Sequence, residues 1–142
     1  MPDGVVLGFD FGTRRIGVAV GNTLSANARP LTTLPAHDAP DWPAIANLLE
    51  SWRPTALVVG LPLDAAGHEQ LITGQARAFM HELGLRSGLP VHGCDERYSS
   101  LAAQTGLRAA RALGTRSRRL RKADTDAAAA CIILDAWLAD GR

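Results

Sequence analysis

Apolar residues fall along the chain in short blocks whose spacing switches between the strand period and the helical period. Residues 5–11, VVLGFDF, are an apolar run interrupted by one acid and stopped by Gly12, which predicts a buried strand. After the turn FGTR, residues 15–20 alternate Ile16, Val18 and Val20 against Gly17 and Ala19, as in the second strand of an antiparallel hairpin. A third strand is expected near 29–34. Asp41 then reads as an N-cap and Pro43 as a first-turn residue of a helix carrying Ile45, Leu48, Leu49 and Trp52 at helical spacing, with Pro54 closing it. ALVVG at 56–60 has the all-apolar character of a parallel strand buried on both faces. A helix over 69–85, with Leu71, Ile72, Phe79 and Leu83, is followed by a strand over 89–96 that ends in acids. Ser99–Leu113 is Ala-rich and helical in propensity, whereas GTRSRRLRK at 114–122 has neither apolar period nor cap and predicts a mobile loop. The last helix is expected from Asp124 or Thr125 to Ala139, with Ala129, Ala130, Ile133 and Trp137 on one face and Asp126 at its start. The order predicts one α/β domain over residues 1–142, with helices packed on a mixed sheet of five strands.

Composition agrees with that outline and narrows the setting. The 142 residues are 46% hydrophobic and 20% charged, ordinary for a folded soluble domain. No apolar run approaches the roughly 20 residues that span a membrane. The N-terminus lacks the basic start of a signal peptide, so a cytoplasmic location is expected. Cys94 and Cys131 stand far apart in apolar segments, as reduced core thiols do. The net charge of +1 conceals an asymmetry, because seven of the fifteen Lys and Arg residues lie between Arg108 and Lys122 with no acid among them. Arg108, Arg111, Arg116, Arg118, Arg119, Arg121 and Lys122 make a local positive field suited to a polyanion. The plainer reading of that segment is a solvated loop.

Three acids attract notice. Asp10 lies inside the first strand on the same face as Gly8 and Gly12, where the missing side chains permit close approach by a ligand or another helix. Glu96 follows Asp95 at the end of a second sheet strand, and strand ends are where α/β sheets gather ligands. Asp126 opens the final helix, whose small residues would let it lie close to the sheet. Singly, each has a plain alternative as a turn cap, an exposed loop acid or a favourable charge at a helix N-terminus. Together they would repel by about 4 kcal/mol per pair at 4 Å with an effective dielectric of 20. A divalent cation removes the conflict, and hard oxygen donors select Mg²⁺ or Mn²⁺, ions suited to phosphodiester hydrolysis. Trp42, Trp52 and Trp137 have apolar neighbours at helical spacing and read as packing residues. His37, His68, His81 and His92 show no ligand spacing.

The stretches LGFDFGTRRIGVAVGN, VVGLPLDAAG, CDERYSS and DAAAACIIL resemble, in order and nearly over the whole chain, the YqgF family, also called RuvX. The resemblance implies a ribonuclease H-like fold, a five-stranded mixed sheet with helices on both faces, related to Holliday junction resolvases. It implies a metal-dependent endonuclease that processes the 5′ end of pre-16S rRNA, with Asp10, Glu96 and Asp126 as catalytic, metal-holding acids. Thr13, Arg14 and Arg15 match the hairpin turn and Arg97 the DER pattern, both expected to meet nucleic acid, while Gly60, Leu61 and Pro62 match the loop beside the site. Asn22 stands where the family often has Asp.

Other readings stay open at this stage. A four-way DNA junction is an alternative substrate that would call for a homodimer rather than a monomer. A non-catalytic RNA- or ribosome-associated binder is another. DFGTRRIGVAV also resembles the first phosphate loop of the actin, sugar-kinase and Hsp70 superfamily, but one domain with one such loop is too short for that two-domain clamp.

Overall fold

A computed structural model describes residues 4–37, 39–95 and 122–139. Among these the elements run β1 (Val5–Asp10), β2 (Arg15–Asn22), β3 (Asn27–Pro35), α1 (Trp42–Trp52), β4 (Ala56–Leu61), α2 (Leu71–Ser87), β5 (Val91–Asp95) and α3 (Lys122–Ala139). The strands lie in the order β3-β2-β1-β4-β5. β2 is antiparallel to β1 and β3, and β4 is parallel to β1 and β5. The hairpin, the parallel strand and the mixed five-stranded sheet follow the sequence pattern. Pro30 and Pro35 fall in β3, an edge strand, where a missing N–H need not break a ladder.

Alternation along each strand divides the sheet into two unlike faces. Leu7 and Phe9 of β1, Ile16, Val18 and Val20 of β2, and Leu57 and Val59 of β4 point to one side, where Ile45 of α1 and Phe79 and Leu83 of α2 complete a core. Phe79 is the hub of that side: its ring meets those of Phe9, Phe11 and Trp42 at 5.8, 5.3 and 5.5 Å. Each such large side chain taken from water contributes about 1.5–3 kcal/mol. α1 starts where expected, with Asp41 Oδ1 accepting from the Ala44 N–H at 3.1 Å. Trp42 and Trp52 pack against this core, as their spacing predicts.

The other face carries α3 alone among the described helices. Ala127, Ala130, Ile133, Leu134, Trp137 and Leu138 of α3 are buried, the last five with Val6, Ala19, Ala56 and Val58 of the sheet. Two expectations need correction here. Lys122 already belongs to the helix, so that residue is not part of the loop expected over 114–122; single-residue signals place a helix boundary only to within a few positions. Ala127 takes the place expected of Ala129, which is only half-buried, because a residue two positions on is turned about 200° around the helix. The helix expected over 99–113 and the remainder of the basic segment lie outside the described residues.

What lets α3 lie down is the sheet. Gly8, Gly17 and Gly21 all face it. A Cβ at Gly8 would come within 2.9 Å of Leu134 Cβ, one at Gly21 within 2.9 Å of Leu138 Cδ1, and one at Gly17 would collide with the Asp126 carbonyl. Of the two glycines expected to permit close approach by a ligand or another helix, Gly8 meets α3, whereas Gly12 lies tightly against the Arg15 carbonyl.

Replacing Gly17 by Ala is therefore expected to destabilise the protein by about 2–3 kcal/mol, since a backbone carbonyl cannot step aside as a side chain would. Gly74→Ala in α2, where nothing lies within 4 Å, is the control and is expected to add about 0.5–1 kcal/mol. Urea denaturation of both variants measures the difference, and equal stabilities would contradict the packing of α3.

Candidate active site

Because β1, β4 and β5 are mutually parallel, their C-terminal ends line one side of the sheet, at Asp10, Leu61 and Asp95. Asp10 lies two residues after Gly8 and so faces α3. Its cross-strand partner is Gly17, with Cα atoms about 5 Å apart in such a pair. Gly17 in turn touches the backbone of Asp126, in the first part of α3. One bare position thus brings a strand-end acid and a helix-start acid to a common corner. Both are half-buried.

Arg15, two residues before Gly17 on the same face of β2, completes this corner. Its Nε donates to Asp126 Oδ2 at 2.7 Å, with the two side chains 37% and 26% exposed. That length is typical of a charge-assisted bond, but partial exposure limits its worth to stability to about 1 kcal/mol at most. Arg15, expected from the motif to meet nucleic acid, here pairs with Asp126 while its side chain remains partly exposed. The strand parity that places Gly17 opposite Asp10 is the signal that could have shown this.

Thr13 and Arg14 are exposed in the turn leaving β1, and the Arg14 carbonyl accepts from the Ala36 N–H at 2.8 Å, which ties the turn to the end of β3. Gly60 is buried at the end of β4, with Leu61 and Pro62 half-buried behind it. The loop beyond them is held by Asp64, whose Oδ1 accepts from the N–H groups of Ala66 and His68 at 2.9 and 2.8 Å. Thr73 of α2 anchors it from below. Its fully buried hydroxyl accepts from the Gln70 N–H at 2.9 Å and donates to the Pro62 carbonyl. Thr73 escaped the sequence reading, because a single threonine in a first helical turn has no pattern of its own.

Glu96, Arg97, Arg108, Arg111, Arg116, Arg118, Arg119 and Arg121 lie outside the described residues, and Lys122 is described only as the first residue of α3. Among the described residues no three His, Cys, Asp or Glu side chains gather in a metal-holding group. The pair that is described suits a hard divalent ion in its chemistry: two carboxylates, half-buried, at a corner already drawing a guanidinium.

Cysteine and histidine chemistry lie elsewhere. Cys94 and Cys131 are thiols outside any disulfide, on the α3 side of the sheet. Burial first, and the neighbouring Asp135 second, push the Cys131 thiol up to about 11, so at neutral pH it stays protonated and poorly nucleophilic. His92 packs against Trp137 with ring centroids 5.2 Å apart, and its buried Nε2 finds no hydrogen-bond partner among the described residues.

Comparison with known proteins identifies relatives in family and in fold. The family model described as RuvX, Holliday junction resolvase, matches residues 4–140. A Xylella fastidiosa (strain M23) protein named "Putative pre-16S rRNA nuclease" is 52% identical over 141 residues, covering 98% of this chain and 90% of its own. A protein of the same name from Legionella pneumophila subsp. pneumophila is 45% identical over 139 residues, 97% of each chain. Among solved structures, Thermus thermophilus RuvC in complex with a Holliday junction substrate superposes with a TM-score of 0.55 at 20% identity, over 92% of this chain and 91% of that one. The yeast mitochondrial Holliday junction resolvase Ydc2 gives 0.57 at 10% identity, over 94% and 77%. At such identities the likeness establishes the fold, which is ribonuclease H-like.

Thr73→Val keeps the shape of the side chain while leaving the Gln70 N–H and the Pro62 carbonyl without their partner. A loss of about 1–3 kcal/mol is expected in urea denaturation, with Thr73→Ser close to the parent. A Val variant as stable as the parent would show that the loop is held by other means.

Proposed function

The chain belongs to the RuvX family, and on that premise we propose that it is a single-domain, metal-dependent endonuclease that hydrolyses phosphodiester bonds in the precursor of 16S rRNA. The observation that carries the proposal is the corner where Gly17 lets Asp126 settle beside Asp10. A nuclease needs negative side chains there only if it is to hold positive charge against a phosphate. The relatives' name supports the ribosomal precursor as substrate, which sets the work in the cytoplasm. No helix of the described residues is long and apolar enough to cross a membrane.

In this reading Asp10 and Asp126, with Glu96 as the third acid, hold Mg²⁺ or Mn²⁺. The bound cation would supply Lewis acidity and offset the charge that builds on the phosphate during displacement. The chain's own residues do the rest. Thr13 and Arg14 would hold the backbone of a nucleic acid that reaches Asp10, a role supported by their exposure beside the end of β1. The basic residues Arg97, Arg108, Arg111, Arg116, Arg118, Arg119, Arg121 and Lys122 add sequence-independent affinity for phosphates, which salt weakens. Gly60, Leu61 and Pro62 form a wall fixed by Thr73 at the neighbouring strand end.

A second reading has its own support in the family's description and in the fold shared with a junction-bound resolvase. There the substrate is a four-way DNA junction, and paired cuts require a symmetric dimer. The two share chemistry and differ in substrate and assembly.

The deciding experiment incubates the purified protein with pre-16S rRNA and with a DNA junction, with Mg²⁺, with Mn²⁺ and with chelator. Cleavage of the RNA that needs the ion is expected, and Asp10→Asn is expected to lower it about a hundredfold or more. Undiminished cleavage by Asp10→Asn overturns the assignment. Preference for the junction by a sedimenting dimer favours the second reading.

A further inference from the structure

We infer that Arg15 is an internal counter-ion that competes with the divalent cation for Asp126, so that the chain's own guanidinium sets how tightly the site takes its metal. This rests on Asp10 and Asp126 being metal-holding residues. The Arg15 Nε bond to Asp126 Oδ2, 2.7 Å long, occupies one of the oxygens a cation would use. A guanidinium stays charged at every working pH, so this competitor cannot be titrated away. A cation taking Oδ2 must displace it, and a cation taking Oδ1 meets its positive charge at short range. Either route costs metal affinity.

The usual opposite role, an arginine that holds a ligand carboxylate in place, is not needed here. Contact of the Asp126 backbone with Gly17 already fixes the start of α3, and Ala127 and Ala130 bury the turn that follows. Arg15 is likewise held by its strand, paired across to Pro35. The backbones that carry both partners are therefore set by packing, so removing the guanidinium takes away the charge that faces the carboxylate while the helix and strand stay in place. Arg15 is thus a positioning residue for charge rather than for geometry. Once displaced, the guanidinium is a cation beside the site and suited to a phosphate, which links metal entry to the arrival of the nucleic acid backbone.

The test is Mn²⁺ binding by the full chain without nucleic acid, followed by calorimetry and by the spin signal of free Mn²⁺. Arg15→Gln is expected to bind about fivefold more tightly than the parent, the equivalent of losing a partly exposed ion pair, and Arg15→Lys within about twofold of it. A variant that merely loosened the site would bind more weakly, so the direction separates competition from structural support. Equal or weaker binding by Arg15→Gln overturns the inference. If that variant fails to fold, the parent protein still decides: the Arg15 Nε–H resonance is expected to shift as Mg²⁺ is added, and a stationary resonance overturns it. Failure of the parent to bind Mn²⁺ at all refutes the metal site itself, an outcome distinct from a parent that binds and a Gln variant that binds no better.

Discussion

The contact on which this structure depends is the meeting of α3 with the bare backbone of β1 and β2. Helices usually ride on a sheet at a distance set by side chains from both surfaces. Here one surface is reduced to hydrogen at Gly8, Gly17 and Gly21, and the helix answers with Ala127 and Ala130 before its large residues begin. The start of α3 therefore lies against the strands themselves. Asp126, which would otherwise stand a side chain's length away, comes to the place where β1 ends in Asp10. The ion pair with Arg15 follows from the same approach, since Arg15 and Gly17 share a strand face.

Such close packing sacrifices apolar area, and the opposite face makes up for it. Phe9, Phe11, Trp42 and Phe79 cluster between the sheet and α1 and α2, with Leu7, Ile16, Leu57 and Leu83 around them. Large aromatic surfaces there carry the hydrophobic stabilisation, at roughly 25 cal/mol per Å² buried. The α3 face is thereby released from the need to maximise burial and can hold half-buried acids. Arg86, stacked 4.4 Å above the Trp42 ring, closes the outer edge of the aromatic side.

The fold was largely legible because its signals are redundant. Alternation in β2, the unbroken apolar run of β4 and the Asp41 cap each agree with their neighbours, and agreement between levels is what specifies a fold. The site was legible in part. Gly8 beside Asp10 correctly announced a close approach, by a helix, while Gly12 proved to serve a turn. The ion pair of Arg15 with Asp126 was not legible, because the motif reads Arg15 only as a basic residue of the hairpin turn, whereas strand parity makes it a neighbour of Gly17. Thr73 was illegible: its importance comes from the Pro62 carbonyl, eleven positions away in sequence and brought near only by the path of the loop.

The same contact bears on the order of folding and metal binding. In small metal-dependent domains the ligands converge only when the ion supplies the free energy, and chelation unfolds them. Here Asp126 is carried to Asp10 by Ile133, Leu134 and Trp137, all buried and none of them charged. The approach is driven by apolar packing along the helix, and the charge of Asp126 is met on the spot by Arg15. In the proposed reading, a corner assembled in this way needs no cation to bring its acids together. The apolar side chains that hold the helix down, Ile133, Leu134 and Trp137, are distinct from the charged ones at the corner, Arg15 and Asp126, so charge there can change without loosening the packing of the helix.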